Sequence, residues 1–254
     1  MIVLLIFPFL LLNAQTDTER AAAAFRQQEA QQYTEAISTY EGLLTAGYGS
    51  ADIHFNLAMA YYDQQQLGKA ILHLEKAYRI KPYDEAVSKN LELLRNEQED
   101  GILPLPTFFL KDWWNTLGAR LSPDVWGGLS LLLLFIGCFL LGTRVWYKQK
   151  ADSPAWYTNR KKQWPLLGAS ALVLAILFVL LANTRKTALN RMDEGIITTP
   201  TAGLYVAPDE STEVTLEIHE GLHARIVDEF EGWLKITLSD GQEGWTKSGV
   251  VERI

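Results

Sequence analysis

The sequence predicts a multidomain membrane protein: an α-helical solenoid, two transmembrane helices and a C-terminal all-β barrel. Three observations lead there. Charge is segregated along the chain, with net −6 over residues 16–100, +8 over 101–191 and −9 over 192–254. The basic middle holds two long uncharged stretches, Val125–Thr143 and Gln163–Thr184. Of the acidic flanks, the first repeats itself, and the second alternates β-branched or aromatic residues with polar ones. An acidic–basic–acidic order around apolar segments suggests two aqueous domains joined through a membrane. Neither flank has the basic stripe that nucleic-acid binding requires, so no nucleic-acid partner is expected. The one cysteine, Cys138, sits in an apolar run, which excludes disulfides and cysteine-based zinc sites.

The chain opens on "MIVLLIFPFLLLNAQ". The apolar run Ile2–Leu12 is too short to cross roughly 30 Å of hydrocarbon, but it suits a signal peptide over residues 1–14. Small Ala14 then takes the cleavage position, and a short uncleaved anchor is the alternative. At about 1.5 Å per residue, both uncharged stretches reach across a bilayer and predict spans at 125–143 and 163–184. Buried helices of globular proteins are seldom so apolar on every face. The connection, residues 144–162, carries Arg144, Lys148, Lys150, Arg160, Lys161 and Lys162 against Asp152 alone. The positive-inside rule puts this loop in the cytoplasm and both aqueous domains outside, which agrees with an exported N-terminus. Residues 104–124 include Phe108, Phe109, Trp113 and Trp114, with Trp126 just beyond. Trp and Phe settle at headgroup depth, so this segment reads as a helix lying in the interface; a docking surface for a membrane partner is the other reading.

In the region 16–100, a shift of 34 residues aligns Tyr33 with Leu67, Ala36 with Ala70, Ile37 with Ile71, Tyr40 with Leu74 and Leu43 with Ala77. The better copy, residues 51–82, places Leu57, Ala58, Tyr61, Ala70, Leu74, Ala77 and Pro82 in order. This resembles the tetratricopeptide repeat (TPR), an α-helical solenoid of helix pairs. A third copy begins at Glu85, where Asn90-Leu91 echoes Asn56-Leu57, and then stops. Two and a half repeats lie near the lower limit for a stable solenoid. The resemblance implies a groove lined by first helices, with Phe55, Asn56, Met59, Tyr62 and Asp63 facing it and Lys89, Asn90 and Leu93 beside them. A clamp for a terminal carboxylate, known in some members, is matched here by Asn56 alone. Ala21, Phe25, Ala86 and Asn90 occupy its other positions, so no such clamp is expected. Packing between repeats is the competing role for Phe55 and Met59.

The segment 195–254 reads as short strands punctuated at Pro208-Asp209, Glu231-Gly232 and Asp240-Gly241. It contains His219-Glu220-Gly221-Leu222-His223, which matches the H-E-x-x-H string of zinc peptidases. That chemistry needs both imidazoles on one helical face, with the Glu activating a metal-bound water. Here Val214, Leu216 and Ile218 alternate before Gly221, and Ala224, Ile226 and Val227 follow it. Strand–glycine turn–strand is the better reading, with the two histidines as solvent-facing polar residues and no metal or other cofactor expected. The strings "LYVAPDEST", "EIHEGLHARIVDE", "GWLKI" and "DGQEGW" resemble a bacterial SH3-like domain. Trp233 and Trp245 line a peptide or glycan groove on one reading; filling the small core is the favoured one. His54 and His73 occupy ordinary helix-surface or packing positions.

The whole order resembles the BatE-type proteins of bacterial aerotolerance operons. That resemblance implies a bacterial inner-membrane protein acting beside von Willebrand-A-domain membrane proteins and a MoxR-type ATPase. Its function class is a non-enzymatic scaffold whose extracytoplasmic modules bind protein partners. A zinc peptidase using the HEGLH string and an envelope-glycan-binding anchor are the alternatives.

Overall fold

The computed structural model describes residues 6–100, 102, 108–148 and 163–254, with residues 6–16 as backbone only. Met1–Leu5 of the expected signal peptide, residues 104–107 of the aromatic segment and residues 149–162 of the basic loop lie outside the described residues. The chain forms two compact units. One is Met1–Leu105 with Met192–Ile254, and the other is Pro106–Arg191. The two acidic flanks, separate in sequence, thus fold together.

The first unit begins with five helices: α1 (Ile6–Glu29), α2 (Tyr33–Thr45), α3 (Ala51–Asp63), α4 (Leu67–Ile80) and α5 (Glu85–Asn96). The 34-residue period is visible in their backbone. Ser50 and Asp84, 34 apart, cap α3 and α5: Ser50 Oγ accepts from the Ile53 amide at 3.2 Å, and Asp84 accepts from Ala86 and Val87 at 2.9 and 3.3 Å. Gln31 and Gln65, also 34 apart, adopt φ of 60° and 58° in the turns before α2 and α4. That region is uncommon for residues other than glycine, so its recurrence marks equivalent turns. Ala36 and Ala70 are both fully buried, as are Tyr40 and Leu74 and Leu43 and Ala77. Alanines at the crossings let neighbouring helices approach closely, and Leu57, Ala58 and Tyr61 fill the space between repeats. Buried Glu75 of α4 is paired with Arg95 of α5, so the charge it brings into the interior is compensated.

The same unit ends in a β-module: β1 (Glu194–Ile197), β2 (Thr201–Tyr205), β3 (Val214–His219), β4 (His223–Phe230), β5 (Trp233–Leu238), β6 (Glu243–Lys247) and β7 (Val251–Arg253). Neighbours are antiparallel in the order β3-β2-β6-β5-β4-β1-β7. The expected closed barrel is corrected here. β3 and β7 are the sheet's two edges, and β7 has three residues and pairs with β1. Period-two alternation buries Leu234, Ile236 and Leu238 of β5 with Leu204, Ile218 and Val251. Glu231-Gly232 joins β4 to β5 with φ of 44° and 84°, the two positive values of a type I′ hairpin turn.

The second unit contains α6 (Phe109–Gly118), α7 (Pro123–Lys148) and α8 (Trp164–Leu189). α7 and α8 are long and apolar enough to cross a membrane. They pack antiparallel: Ser130 Oγ donates to the Ala175 carbonyl at 3.0 Å, and Gly137 lies against Gly168. A Cβ on Gly137 would come within 2.7 Å of Leu172, so glycine is what permits this approach. The outward residues Phe135, Phe139, Leu166 and Val173 are all exposed. The aromatic cluster read from sequence divides. Phe108, Phe109 and Trp113 are exposed, whereas Trp126 is buried, donating from Nε1 to the Gly118 carbonyl at 3.2 Å and meeting Phe178 edge-on.

Candidate interaction site

The residues expected to line the groove stand on the first helices of their repeats, α3 and α5, and are partly committed to the protein itself. Phe55 and Met59 are half-buried and pack against the repeat core, so the packing role is real. Asn56 faces the Tyr40 hydroxyl; burial pushes that phenol's pKa up, and the Asn56 amide partly offsets the effect. Asn90 Nδ2 donates to the Ala86 carbonyl of its own helix at 2.8 Å. Tyr62 is 38% exposed and donates to Glu97 at 3.0 Å, which raises its pKa. Phe25 and Leu93 add exposed apolar surface on α1 and α5. A neighbouring concavity of about 410 Å³ between α4 and α5 is lined by Tyr78, Ser88, Leu91, Glu92, Arg95 and Asn96, none of them among the residues expected from sequence.

Between α3 and α4, His54 and His73 face each other with Nδ1 atoms 3.0 Å apart, and Tyr61 stacks on His73 at 5.5 Å between ring centres. Burial first, and the Lys76 charge second, lower the pKa of His54 to about 4 and of His73 to about 3. Both rings are therefore neutral near pH 7, so one Nδ1–H can donate to the other ring. Of the two positions read from sequence, packing is the one the structure shows: His73 is buried and His54 half-buried in an imidazole pair.

On the β-module, the favoured core-filling role of Trp233 and Trp245 is corrected. Because β5 and β6 turn Leu234, Ile236 and Thr246 inward, the alternate residues Trp233, Lys235 and Trp245 lie on the outer face. Tyr205 pairs with Trp245 in the ladder and meets Trp233 edge-on at 5.3 Å. Lys235 and Lys247 flank these rings and are paired with Glu243 and Glu210. The result is a half-exposed aromatic surface able to stack on a planar or apolar ligand.

The HEGLH string forms a strand–turn–strand. His219 ends β3, His223 begins β4, and Gly221 has φ of 93°. The helical face that a zinc peptidase needs is not formed, and among the described residues no group of three His, Cys, Asp or Glu side chains is placed to hold a metal ion. The expectation of solvent-facing histidines is corrected as well, because the turn docks on the helical repeats. Glu220 accepts from the Gly68 amide in the first turn of α4 at 2.7 Å, where the helix presents unpaired N–H groups. Asp100 accepts from the His219 amide at 2.7 Å and lies 2.9 Å from its Nδ1, which raises the imidazole pKa. Gln98 Nε2 donates to the Gly221 carbonyl at 2.5 Å. Arg79 of α4 donates to Glu194 at 2.8 Å and to the Ile254 carbonyl at 3.2 Å. Sequence reasoning missed these partners; the one available signal was Gly68, a glycine inside a helix where the first repeat carries Thr34.

The fold thus defines two interaction modules in one unit, interrupted by a pair of helices long enough to cross a membrane. The tetratricopeptide repeat family matches residues 26–85, and the bacterial SH3 domain family matches residues 199–252. These matches suggest protein–protein interaction and point to no enzymatic family. Among solved structures, a TPR repeats protein from Bacteroides fragilis NCTC 9343 is similar at 13% identity and a TM-score of 0.30, covering 71% of this chain and 78% of that one. No protein of curated function matches the chain.

Proposed function

We propose that this protein is a non-enzymatic scaffold of the bacterial inner membrane, exported by residues 1–14 and anchored by α7 and α8. Both interaction modules would then be extracytoplasmic and gather protein partners. The observation that carries this reading is the composition of the first unit. The chain leaves that unit after residue 105 and re-enters it at 192. A membrane insertion between two parts of one folded body must cross an even number of times, and two apolar helices supply that number. The six basic residues of 144–162 favour a cytoplasmic loop, which leaves both modules outside. The partner-binding face is Phe55, Asn56, Met59, Tyr62 and Asn90: Tyr62 offers an exposed ring, and Phe55 and Met59 an adaptable apolar floor. The resemblance to BatE-type proteins supports von Willebrand-A-domain membrane proteins as the partners, in an aerotolerance complex. A second reading, ligand capture by an envelope-glycan-binding anchor, is favoured by the outer rings of Tyr205, Trp233 and Trp245.

Two experiments test the scaffold. An alkaline-phosphatase fusion after Ile254 should be active and one near Asp152 inactive; the reverse pattern sinks the topology. Crosslinking from intact membranes should recover membrane partners, and Asn56→Ala with Tyr62→Ala should weaken that recovery while helical circular dichroism is kept. Undiminished capture would remove this face from the mechanism.

A further inference from the structure

The first unit contains a solenoid that ends too early. α3 and α4 form a complete helix pair, while α5 is a first helix with no second helix before α6 among the described residues. Stacked repeats bury their apolar faces only against a neighbour, so an open end must be covered. In this chain the cover is the β-module. Ile196 of β1 is fully buried within the repeats' own core, together with Ile71, Leu91 and Leu94, and Ile254 packs against the same cluster.

The contact is keyed by two glycines that press into opposite sides. A Cβ on Gly68 of α4 would lie 2.6 Å from the Ile197 carbonyl oxygen and 3.0 Å from the Thr198 Cα, both backbone atoms of the β-module. A Cβ on Gly221 would lie 2.8 Å from the Ile71 side chain of α4. Glycine inside a helix is unfavourable by itself, and the repeat does not demand it: 34 residues earlier stands Thr34, which is exposed. The departure from the repeat falls where the module arrives. Polar groups lock the same contact, with Glu220 on the Gly68 amide and Asp100 and Gln98 on the turn.

We infer that the β-module is the end cap of the helical repeats, keyed by Gly68 against the HEGLH turn. The string that looks like a zinc site serves intramolecular docking. The cap stands on the fold and holds whichever partner the repeats bind. It also fixes the two modules as one body, so neither spends orientational freedom on finding the other when a partner arrives.

Hydrogen exchange measured on the full chain in lipid nanodiscs tests this. Gly68→Thr gives the second repeat the residue that the first already carries, so it challenges the docking and not the helix. Exchange should rise at least tenfold together in α4, α5, β1 and residues 219–223. Glu220→Gln, a milder change that keeps the shape of the turn, should raise exchange in the same four segments by a smaller factor. If either variant opens β1 and the turn while α4 and α5 keep wild-type protection, the module is docked but is no cap. If Gly68→Thr changes none of the four, the proposed key is wrong. Should Gly68→Thr fail to fold, the pattern given by Glu220→Gln decides between the same outcomes. Partner capture does not enter the measurement, so failure of the scaffold reading leaves this result intact.

Discussion

Helices α4 and α8 invert the usual relation between composition and burial. α4 carries Lys69, Glu75, Lys76 and Arg79, yet its buried residues include Ile71, Leu72, His73, Leu74 and Glu75. α8 has no charge before Arg185, yet Leu166, Val173 and Ile176 stand more than three-fifths exposed. α4 can be enclosed because its charges find partners, Glu75 on Arg95 and Arg79 on Glu194. α8 encloses only the stripe that faces α6 and α7, and the rest of its surface suits an apolar solvent. Hydropathy therefore reports the medium around a helix, and burial reports its protein neighbours.

The largest break in that comparison is expected at Ile71. It is fully buried, packed on the repeat side against the core that includes Ile196 and touching Gly221 on the other. Ile71→Ala should cost about 2–5 kcal/mol, the range for truncating a buried aliphatic side chain, and should lower the protection of helices and sheet together. A loss confined to the helices would show that α4 does not join the modules. The converse substitution is Ile176→Asp on the exposed face of α8. In water an exposed site tolerates this change, usually within about 0.5 kcal/mol. At the centre of a membrane helix Asp itself costs about 2.5–3.5 kcal/mol of insertion free energy, where Ile is favourable by about 0.3–0.6 kcal/mol. Membrane fractionation of the variant should show reduced integration; unchanged integration would remove α8 from the bilayer.

How far each region could be read from sequence follows the same division. The repeats were legible because one spacing fixes caps, turns and crossings at once, as the pairs Ser50/Asp84 and Gln31/Gln65 show. The strands and the Gly221 turn were legible from alternation and a single glycine. The joint was not. Gly68 and Gly221 are 153 positions apart, and neither periodicity nor propensity reveals that two glycines are reserved for each other's surroundings. The face of Trp233 is not legible because an aromatic residue in a strand fits either face, and only the inward alternation of its neighbours decides which. The joint also revises what the HEGLH turn should tolerate. Gly221→Val combines positive φ on a β-branched residue with the clash against Ile71, and strain of this kind costs about 1–3 kcal/mol. His219→Ala removes an imidazole partner of Asp100 but keeps the backbone amide that also donates to it. Thermal melts of the full chain should rank Gly221→Val below His219→Ala, and His219→Ala below His223→Ala, whose ring is the more exposed. Equal losses from all three would contradict the docked turn.

Near neutral pH the smallest effect is expected from protons, and its sign differs between the two histidine environments. The His54 and His73 pKa values are depressed to about 4 and about 3, so below pH 6.5 the unfolded chain binds more protons than the native one. Stability between α3 and α4 is then complete above pH 6.5 and falls as the pH drops from there toward those values. His219 behaves oppositely. Its pKa is raised, chiefly by the hydrogen bond to Asp100, so its contribution to the joint is present below pH 6.5 and is lost as pH rises through the raised value. Acid should therefore loosen the helix pair first, and alkali should loosen the turn. Replacing the imidazole pair with His54→Gln and His73→Gln should flatten the acid limb of a plot of melting temperature against pH. Asp100→Asn should flatten the alkaline limb and leave the acid limb in place. If His54→Gln with His73→Gln leaves the acid limb unchanged, the imidazole pair does not set the acid sensitivity of the repeats.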